Sequence, residues 1–297
     1  MSENREARYA CISYTRLACV TLCFRAMTIP SIELTGIFIY PVKSLRGVRL
    51  EEAPLLDGRL VGDRTWLLVN KFGRFMHMRD YPQMARVEAT ITERGLTVRT
   101  DTMPSLEIEP LLGSPGDLSD VTHVRLWRRS APVVAVGTHA DEWFTRALGV
   151  ACRLMAFVPD ADALTVPSHE VHSSLQDATP FHLTTEESLA DLNARMAMPI
   201  PMNRFRPNLV VRGAAPYEED RWKAIAIGDT VLRWIKPCTR CVATTTDQET
   251  GERMGRDPLF TLAQYRRVGP EVVFGHYLVA DTWGERLRVG DSVRVLA

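Results

Sequence analysis

The sequence predicts a mainly β chain with some helices, an α+β composition built from barrel-like or sandwiched strands. Three observations carry that expectation. Runs of β-branched and aromatic residues are short, and turn residues close nearly every one. Only three stretches read as helical. A Gly-Asp corner also occurs twice, in Ile227-Gly228-Asp229-Thr230-Val231 and in Val289-Gly290-Asp291-Ser292-Val293. That echo is too short to be a repeat and points to two similar corners of one barrel.

Composition bounds the rest. The chain has 297 residues, 45% hydrophobic and 24% charged, which suits one large or two ordinary ordered domains. Lys plus Arg and Asp plus Glu both number 36, so bulk charge gives no support for a nucleic-acid or membrane-surface partner. No apolar run approaches the roughly 18 residues of a membrane span. The six cysteines are Cys11, Cys19, Cys23, Cys152, Cys238 and Cys241, too few for a disulfide framework at this size, and a reducing cytoplasm fits them.

Residues 1–30 read as an extension apart from the fold, with Arg5, Arg8, Arg16 and Arg25 interleaved with the apolar Leu17 to Phe24, and Met27 as an alternative start. Residues 31–153 and 154–297 read as two domains. In the first, Ile32 to Tyr40 is a strand, and Pro41-Val42-Lys43-Ser44 turns the chain toward a strand at Val48-Arg49-Leu50. Gly62-Asp63-Arg64 is a turn into Thr65-Trp66-Leu67-Leu68-Val69, and Asn70-Lys71-Phe72-Gly73 is a hairpin turn. Val87 to Ile91 and Leu96 to Arg99 alternate around Glu93-Arg94-Gly95 as a second hairpin. Strands follow at Val121 to Trp127 and Pro132 to Val136, then a helix over Asp141 to Leu148 that Gly149 ends.

In the second, Pro159 to Asp177 is polar and reads as a loop. Thr184-x-x-Glu187 reads as a capping box before a helix carrying Leu189, Leu192 and Met196 on one face. Asn203-Arg204-Phe205-Arg206-Pro207-Asn208 leads into a strand at Leu209-Val210-Val211. Pro258 to Leu262 with Tyr265-Arg266 reads as a helical turn, and Val272 to Val279 as a strand.

The stretch with the most chemistry is Lys236-Pro237-Cys238-Thr239-Arg240-Cys241-Val242-Ala243-Thr244-Thr245-Thr246. Pro237 excludes a helix, and the threonines favour a strand, so the cysteines are expected on a turn that opens a strand. Arg240 and Lys236 lie beside the thiols, and positive charge favours the thiolate, the form that binds a soft metal or attacks an electrophile. Three readings stay open on spacing alone. One is half of a zinc site, completed by His169 and His172. Another is a redox pair, against which the missing helix argues. The third is one thiolate ligand to a transition metal carried by an organic cofactor.

Lys43, Arg64 and Arg206 sit at turns beside strands, and together they point to an anion pocket. Ser44 and Thr239 add hydroxyls and nearby amides, and Pro207 fixes Arg206 for a forked contact to phosphate. No Gly-x-Gly-x-x-Gly, P-loop or serine-hydrolase elbow occurs. In Phe274-Gly275-His276-Tyr277 the tyrosine hydroxyl can reach a ligand.

Five motifs in this order resemble the MOSC proteins, named for the C-terminal domain of molybdenum cofactor sulfurases. They are Pro41-Val42-Lys43-Ser44, Gly62-Asp63-Arg64-x-Trp66, Asn203-x-Phe205-Arg206-Pro207-Asn208, Cys238-Thr239-Arg240-Cys241 and Phe274-Gly275-x-Tyr277. The resemblance covers residues 33–297 and is to the branch that reduces amidoximes and N-hydroxylated bases. It implies an N-terminal MOSC β-barrel domain packed on a C-terminal MOSC β-barrel. It implies Mo-molybdopterin, the molybdenum cofactor, with Cys241 as metal ligand and catalytic residue and Cys238 as its neighbour. Lys43, Ser44, Arg64, Thr179, Arg206, Asn208, Thr239, Arg240 and Tyr277 would surround the pterin and its phosphate. Thr179 lies in Asp177-Ala178-Thr179-Pro180-Phe181, where the family often has a second hydroxyl in place of Ala178.

The implied activity is reduction of a small N-hydroxylated substrate by two electrons and two protons. No cysteine follows Cys241, whereas some relatives carry a C-terminal ferredoxin domain, so a separate ferredoxin-like, flavoprotein or cytochrome donor is expected. Two other functions remain in view. Cys238 could relay sulfur in a cofactor carrier, or both cysteines could join His169 and His172 in a zinc-stabilised binding module.

Overall fold

A computed structural model describes residues 31–109, 120–127, 129–158, 164–166, 169–171 and 174–296, with 164–166 and 169–171 described by backbone alone. The extension over residues 1–30, including Met27, and His172 of the zinc reading lie outside the described residues.

Seven strands close a barrel. In spatial order they are Phe181–Thr185, Leu209–Arg212, Ile32–Ile39, Ser292–Leu296, Ala224–Ile227, Thr230–Thr239 and Glu271–Thr282, which returns to pair with Phe181–Thr185. Six of the seven pairings are antiparallel; Phe181–Thr185 and Leu209–Arg212 run parallel. A parallel pair needs a crossover, and the helix Glu186–Ala194 lies in it. Alternate residues of these strands point inward, so Leu34, Ile37, Phe181, Leu183, Leu209, Val211, Ile225, Leu232 and Leu278 fill the core. Closure leaves few unpaired edges. Both Gly-Asp corners launch barrel strands, Thr230–Thr239 and Ser292–Leu296, as expected.

Two of the further sheets pack beside the barrel. One orders Trp66–Asn70, Cys152–Phe157, Arg129–Ala135 and Thr122–Leu126; the other orders Glu88–Thr92, Gly95–Thr100 and Met103–Ile108. The helix Thr138–Leu148 buries Trp143, Phe144 and Leu148 against them. Gly149 ends it at φ 69°, a left-handed cap that glycine adopts without steric cost.

Three local expectations are corrected. The helix cap is Thr185, whose Oγ1 accepts from Ser188 N at 3.1 Å, one residue later than expected. Glu187 instead accepts from Gly213 N at 2.8 Å. The stretch after Pro159 contains a two-stranded hairpin, Leu164–Val166 with His169–Val171. The cysteines end a strand rather than opening one: Val242–Thr245 is a 3-10 turn. The threonine hydroxyls explain this, because Thr244 Oγ1 donates to Cys241 O (2.9 Å) and Thr245 Oγ1 to Val242 O (2.8 Å). Such local bonds give the backbone an alternative to the ladder and override strand propensity. Among the described residues no helix is long and apolar enough to cross a membrane.

Candidate functional site

Loops from both halves of the chain meet around a cavity of about 320 Å³. All ten residues singled out in the sequence line it. Lys43, Ser44 and Arg64 come from the first half, and Thr179, Arg206, Asn208, Thr239, Arg240, Cys241 and Tyr277 from the second.

The cationic wall is built on Tyr40. Its ring is covered by two guanidinium groups, Arg64 and Arg206, each 4.2 Å from the centroid. Its hydroxyl donates to Pro207 O at 2.9 Å. Burial pushes the phenol pKa up to about 12, so the group stays neutral. Arg64 donates to Asp63 Oδ2 at 2.7 Å and to Asn208 Oδ1 at 3.1 Å; Arg206 donates to Leu45 O at 2.7 Å. Asn208 is itself held, donating to Phe38 O at 3.1 Å. Burial opposes the charge on Arg64, but Asp63 and Tyr40 outweigh it and hold its pKa above the ordinary value. Burial lowers Arg206 to about 10, which leaves it charged at neutral pH.

The backbone is equally constrained. Ser44, Arg64 and Arg206 have φ of 70°, 51° and 54°. Non-glycine residues in this region cost about 1–2 kcal/mol each, and three of them line one cavity. Strain of that kind persists where surrounding contacts over-determine it.

Lys43 Nζ donates to Asp177 Oδ1 at 2.6 Å and to Leu175 O at 2.7 Å. Asp177 is the one carboxylate lining the cavity among the described residues. Packing opposes its ionisation, but Lys43 and the Trp127 indole N–H (2.8 Å) hold its pKa far below the usual carboxylate range. Five buried or half-buried cations, Lys43, Arg64, Arg79, Arg206 and Arg240, thus line the cavity with one acid, and it carries excess positive charge.

The two cysteines differ sharply. The strand Thr230–Thr239 slips register against Glu271–Thr282 three times, the last between Pro237 and Thr239, where proline has no N–H for the ladder. Cys238 points inward, 1% exposed, and accepts from Arg240 Nη1. Burial pushes its thiol pKa up, with Arg240 opposing. Cys241 is exposed and lines the cavity. Tyr277 is held as a phenol, its pKa raised well above the ordinary value by burial and by Cys238.

The sequence reading missed Tyr40, His182, Trp127 and Phe75 as residues that shape this site. Tyr40 gave no signal beyond preceding the first motif. His182 lines the cavity from the strand Phe181–Thr185, its Nε2 3.5 Å from Arg240 Nη1 and its Nδ1 3.4 Å from Arg206 O. Burial and then Arg240 push its pKa well below the ordinary value, so the ring is neutral. A polar residue inside an apolar strand was the available signal. Gly275, at φ 73°, packs so closely that a Cβ would lie 2.5 Å from Leu183 O and 2.6 Å from His182 Nε2. Trp127 and Phe75 meet edge to face at 5.1 Å on the cavity wall, and neither belongs to a motif. His169 of the zinc reading lies in a strand described by backbone alone, and among the described residues no three His, Cys, Asp or Glu side chains cluster as metal ligands.

Comparison with known proteins gives two family matches that together span nearly the whole described chain. The MOSC N-terminal beta barrel domain matches residues 31–151, and the MOSC domain matches residues 170–294. Mitochondrial amidoxime reducing component 2 of Bos taurus is 34% identical over 282 residues, covering 88% of this chain and 82% of its own. Mitochondrial amidoxime-reducing component 1 of Homo sapiens is 32% identical over 284 residues, with the same coverage, 88% and 82%. Molybdenum cofactor sulfurase of Oryza sativa subsp. japonica is 31% identical over 268 residues, 83% of this chain but 32% of that larger protein. The chain belongs to the MOSC family, in the group that joins a MOSC N-terminal β-barrel domain to a MOSC domain.

Proposed function

We propose that this protein holds a molybdenum–pterin cofactor in the cation-lined cavity and reduces small N-hydroxylated compounds, with electrons from a separate protein. One observation carries the reading: the exposed thiol of Cys241 opens into the same cavity as Lys43, Arg64, Arg206 and Arg240. A soft thiolate suits molybdenum, and a ring of cations suits a phosphate. The donor set fits further, because Arg240 Nε is buried with no partner in the protein and is free for an anionic ligand.

In this reading Cys241 is the metal ligand and the catalytic residue. Arg64, Arg206 and Asn208 fix the phosphate, and Lys43, Ser44, Thr179, Thr239, Arg240 and Tyr277 surround the pterin. When bound, the cofactor supplies two-electron redox chemistry at the N–OH group. The protein's own part is orientation and proton placement. Tyr40 stiffens the two guanidinium groups that align the anion. Thr179 Oγ1 already donates to Phe181 O at 3.0 Å, so toward a ligand it acts as an acceptor. Tyr277 keeps its proton at neutral pH and can donate a hydrogen bond, while Asp177 stays ionised beside Lys43.

A sulfur-relay role would need Cys238 to be reachable, and its burial against Arg240 argues against that. The names of the relatives support the reductase reading, as does their coverage of both halves of this chain. A domain division near residue 153 and cytoplasmic residence belong to the same proposal; limited proteolysis and cell fractionation test them. The decisive experiment is Cys241→Ala in a host that makes molybdopterin. Loss of both bound molybdenum and benzamidoxime reduction is expected, and retention of both would overturn the proposal. Zinc without molybdenum in the parent protein would favour the binding-module alternative.

A further inference from the structure

The 3-10 turn Val242–Thr245 has two sides that face different spaces. Cys241 and Ala243 line the cation-lined cavity, whereas Val242 and Thr245 line a separate surface groove of about 550 Å³. A single peptide bond, Cys241–Val242, therefore joins the residue that presents the thiol to the wall of the groove. Leu259, Ala263 and Val272 give the groove an apolar lining. Phe260 stands on it 47% exposed, with the Arg256 guanidinium 4.5 Å from its ring centroid. Arg267 also lines it and is steadied by a bond from its Nε to Ala263 O at 3.1 Å.

No carboxylate lines this groove among the described residues. Asp257, next to Arg256 in sequence, turns onto Thr261, accepting from its N at 3.1 Å and its Oγ1 at 2.8 Å. Its charge is thus spent within the short helical turn Leu259–Leu262 rather than on the arginines. Met254 and Val268, 48% and 56% exposed, extend the apolar surface in the same stretch of chain. Exposed apolar residues flanked by uncompensated cations have the make-up of a protein interface with a polar rim.

We infer that this groove is the docking site of an acidic one-electron carrier protein, which passes electrons to the cavity through the Cys241–Val242 segment. The inference rests on the reductase reading. Charge sets the occupant: the exposed guanidinium groups of Arg256 and Arg267 attract an acidic rim, and the apolar lining between them accepts the face around a redox centre. A site outside the cavity also lets donor and substrate bind together. Each docking oxidises one reduced [2Fe–2S] partner by one electron. Two dockings and two solvent protons supply the electrons and protons that turn one N–OH into N–H and water.

The test uses the cofactor-loaded protein, a plant-type [2Fe–2S] ferredoxin as probe, and the double variant Arg256→Glu/Arg267→Glu. Arg94→Glu, in the turn between Glu88–Thr92 and Gly95–Thr100, controls for net charge. Three quantities are read: ferredoxin binding by calorimetry at low salt, benzamidoxime turnover driven by reduced ferredoxin, and turnover driven by reduced methyl viologen. The double variant is expected to lose about tenfold or more in ferredoxin affinity and in ferredoxin-driven kcat/KM. Its turnover with methyl viologen and that of Arg94→Glu stay unchanged. Phe260→Ala, which alters no charge, lowers ferredoxin affinity in the same direction. Equal ferredoxin binding by parent and double variant, or none by the parent, overturns the docking site. Absence of methyl viologen turnover in the parent strikes the reductase reading instead, and the binding measurement still decides the groove.

Discussion

The wall built on Tyr40 and the loop that carries Cys241 face each other across one cavity, yet they are made differently. On the Tyr40 side Lys43, Arg64 and Arg206 each have a backbone or carboxylate partner, and three residues are held in left-handed backbone. On the Cys241 side the strand Thr230–Thr239 loosens through register slips, and the exposed thiol follows the last of them. In the proposed function, contacts are concentrated where the cofactor would be oriented and sparse where Cys241 would bind its metal. A rigid template lowers the ordering cost of binding, whereas a reactive thiol needs access. Substitutions on the template should therefore change stability strongly, and substitutions at the open thiol should change chemistry with little effect on folding.

The largest effect falls on the template. Tyr40→Ala removes a buried ring and leaves Arg64 and Arg206 without the surface both rest on. The expected loss is about 3–5 kcal/mol, the range for large-to-alanine changes in cores, read from urea unfolding. Tyr40→Phe keeps the ring and leaves Pro207 O without its donor, so about 1 kcal/mol is expected. A Tyr40→Ala loss no greater than that of Tyr40→Phe would break the contrast between the two walls.

The next effect is on pH dependence. His182 is neutral in the folded protein, and its pKa is held well below the ordinary histidine value of about 6.5. Below that pH the unfolded chain takes up a proton that the folded chain does not, so the unfolded state binds more protons and stability falls as pH falls. The slope approaches about 1.4 kcal/mol per pH unit until the folded pKa is reached. Asp177 adds nothing in this window, because a free aspartate is already ionised above about pH 5. Unfolding measured at pH 7 and pH 5.5 should show the decline, and His182→Gln should flatten it. An equal slope in the variant would remove His182 from the account.

Much of this was legible in the chain. Alternation and turn residues placed the strands, and the resemblance carried by the five motifs pointed to nine residues that line the cavity, with Thr179 added from outside those motifs. What was illegible depended on distance or on competition between local bonds. Closure of the barrel needs Ile32–Ile39 to pair with Leu209–Arg212 and Ser292–Leu296, partners whose separation no local pattern encodes. The strand expected at Thr244-Thr245-Thr246 lost to hydroxyls bonding back to Cys241 and Val242. The cap slipped from Thr184 to Thr185 because adjacent threonines look alike until the end of the preceding strand is fixed. Tyr40 was invisible because an aromatic residue before a proline has the same appearance whether it fills a core or supports two arginines.

The smallest effect separates backbone strain from side-chain contact on the template. Ser44 and Arg206 share the left-handed region, at φ 70° and 54°. Replacing either by glycine relieves about 1–2 kcal/mol of backbone strain and gives back roughly 0.5–1 kcal/mol through the greater freedom of unfolded glycine. At Ser44 little else is lost, so Ser44→Gly should be neutral or stabilising by at most about 1.5 kcal/mol, a rise of about 3–6 °C or less in Tm. Arg206→Gly releases the same strain but removes the bond to Leu45 O and the cover of Tyr40, so it should destabilise. Opposite signs at two positions of like φ would establish that the left-handed turns are imposed by the surrounding contacts. Clear destabilisation by Ser44→Gly would show instead that the serine side chain holds its own turn.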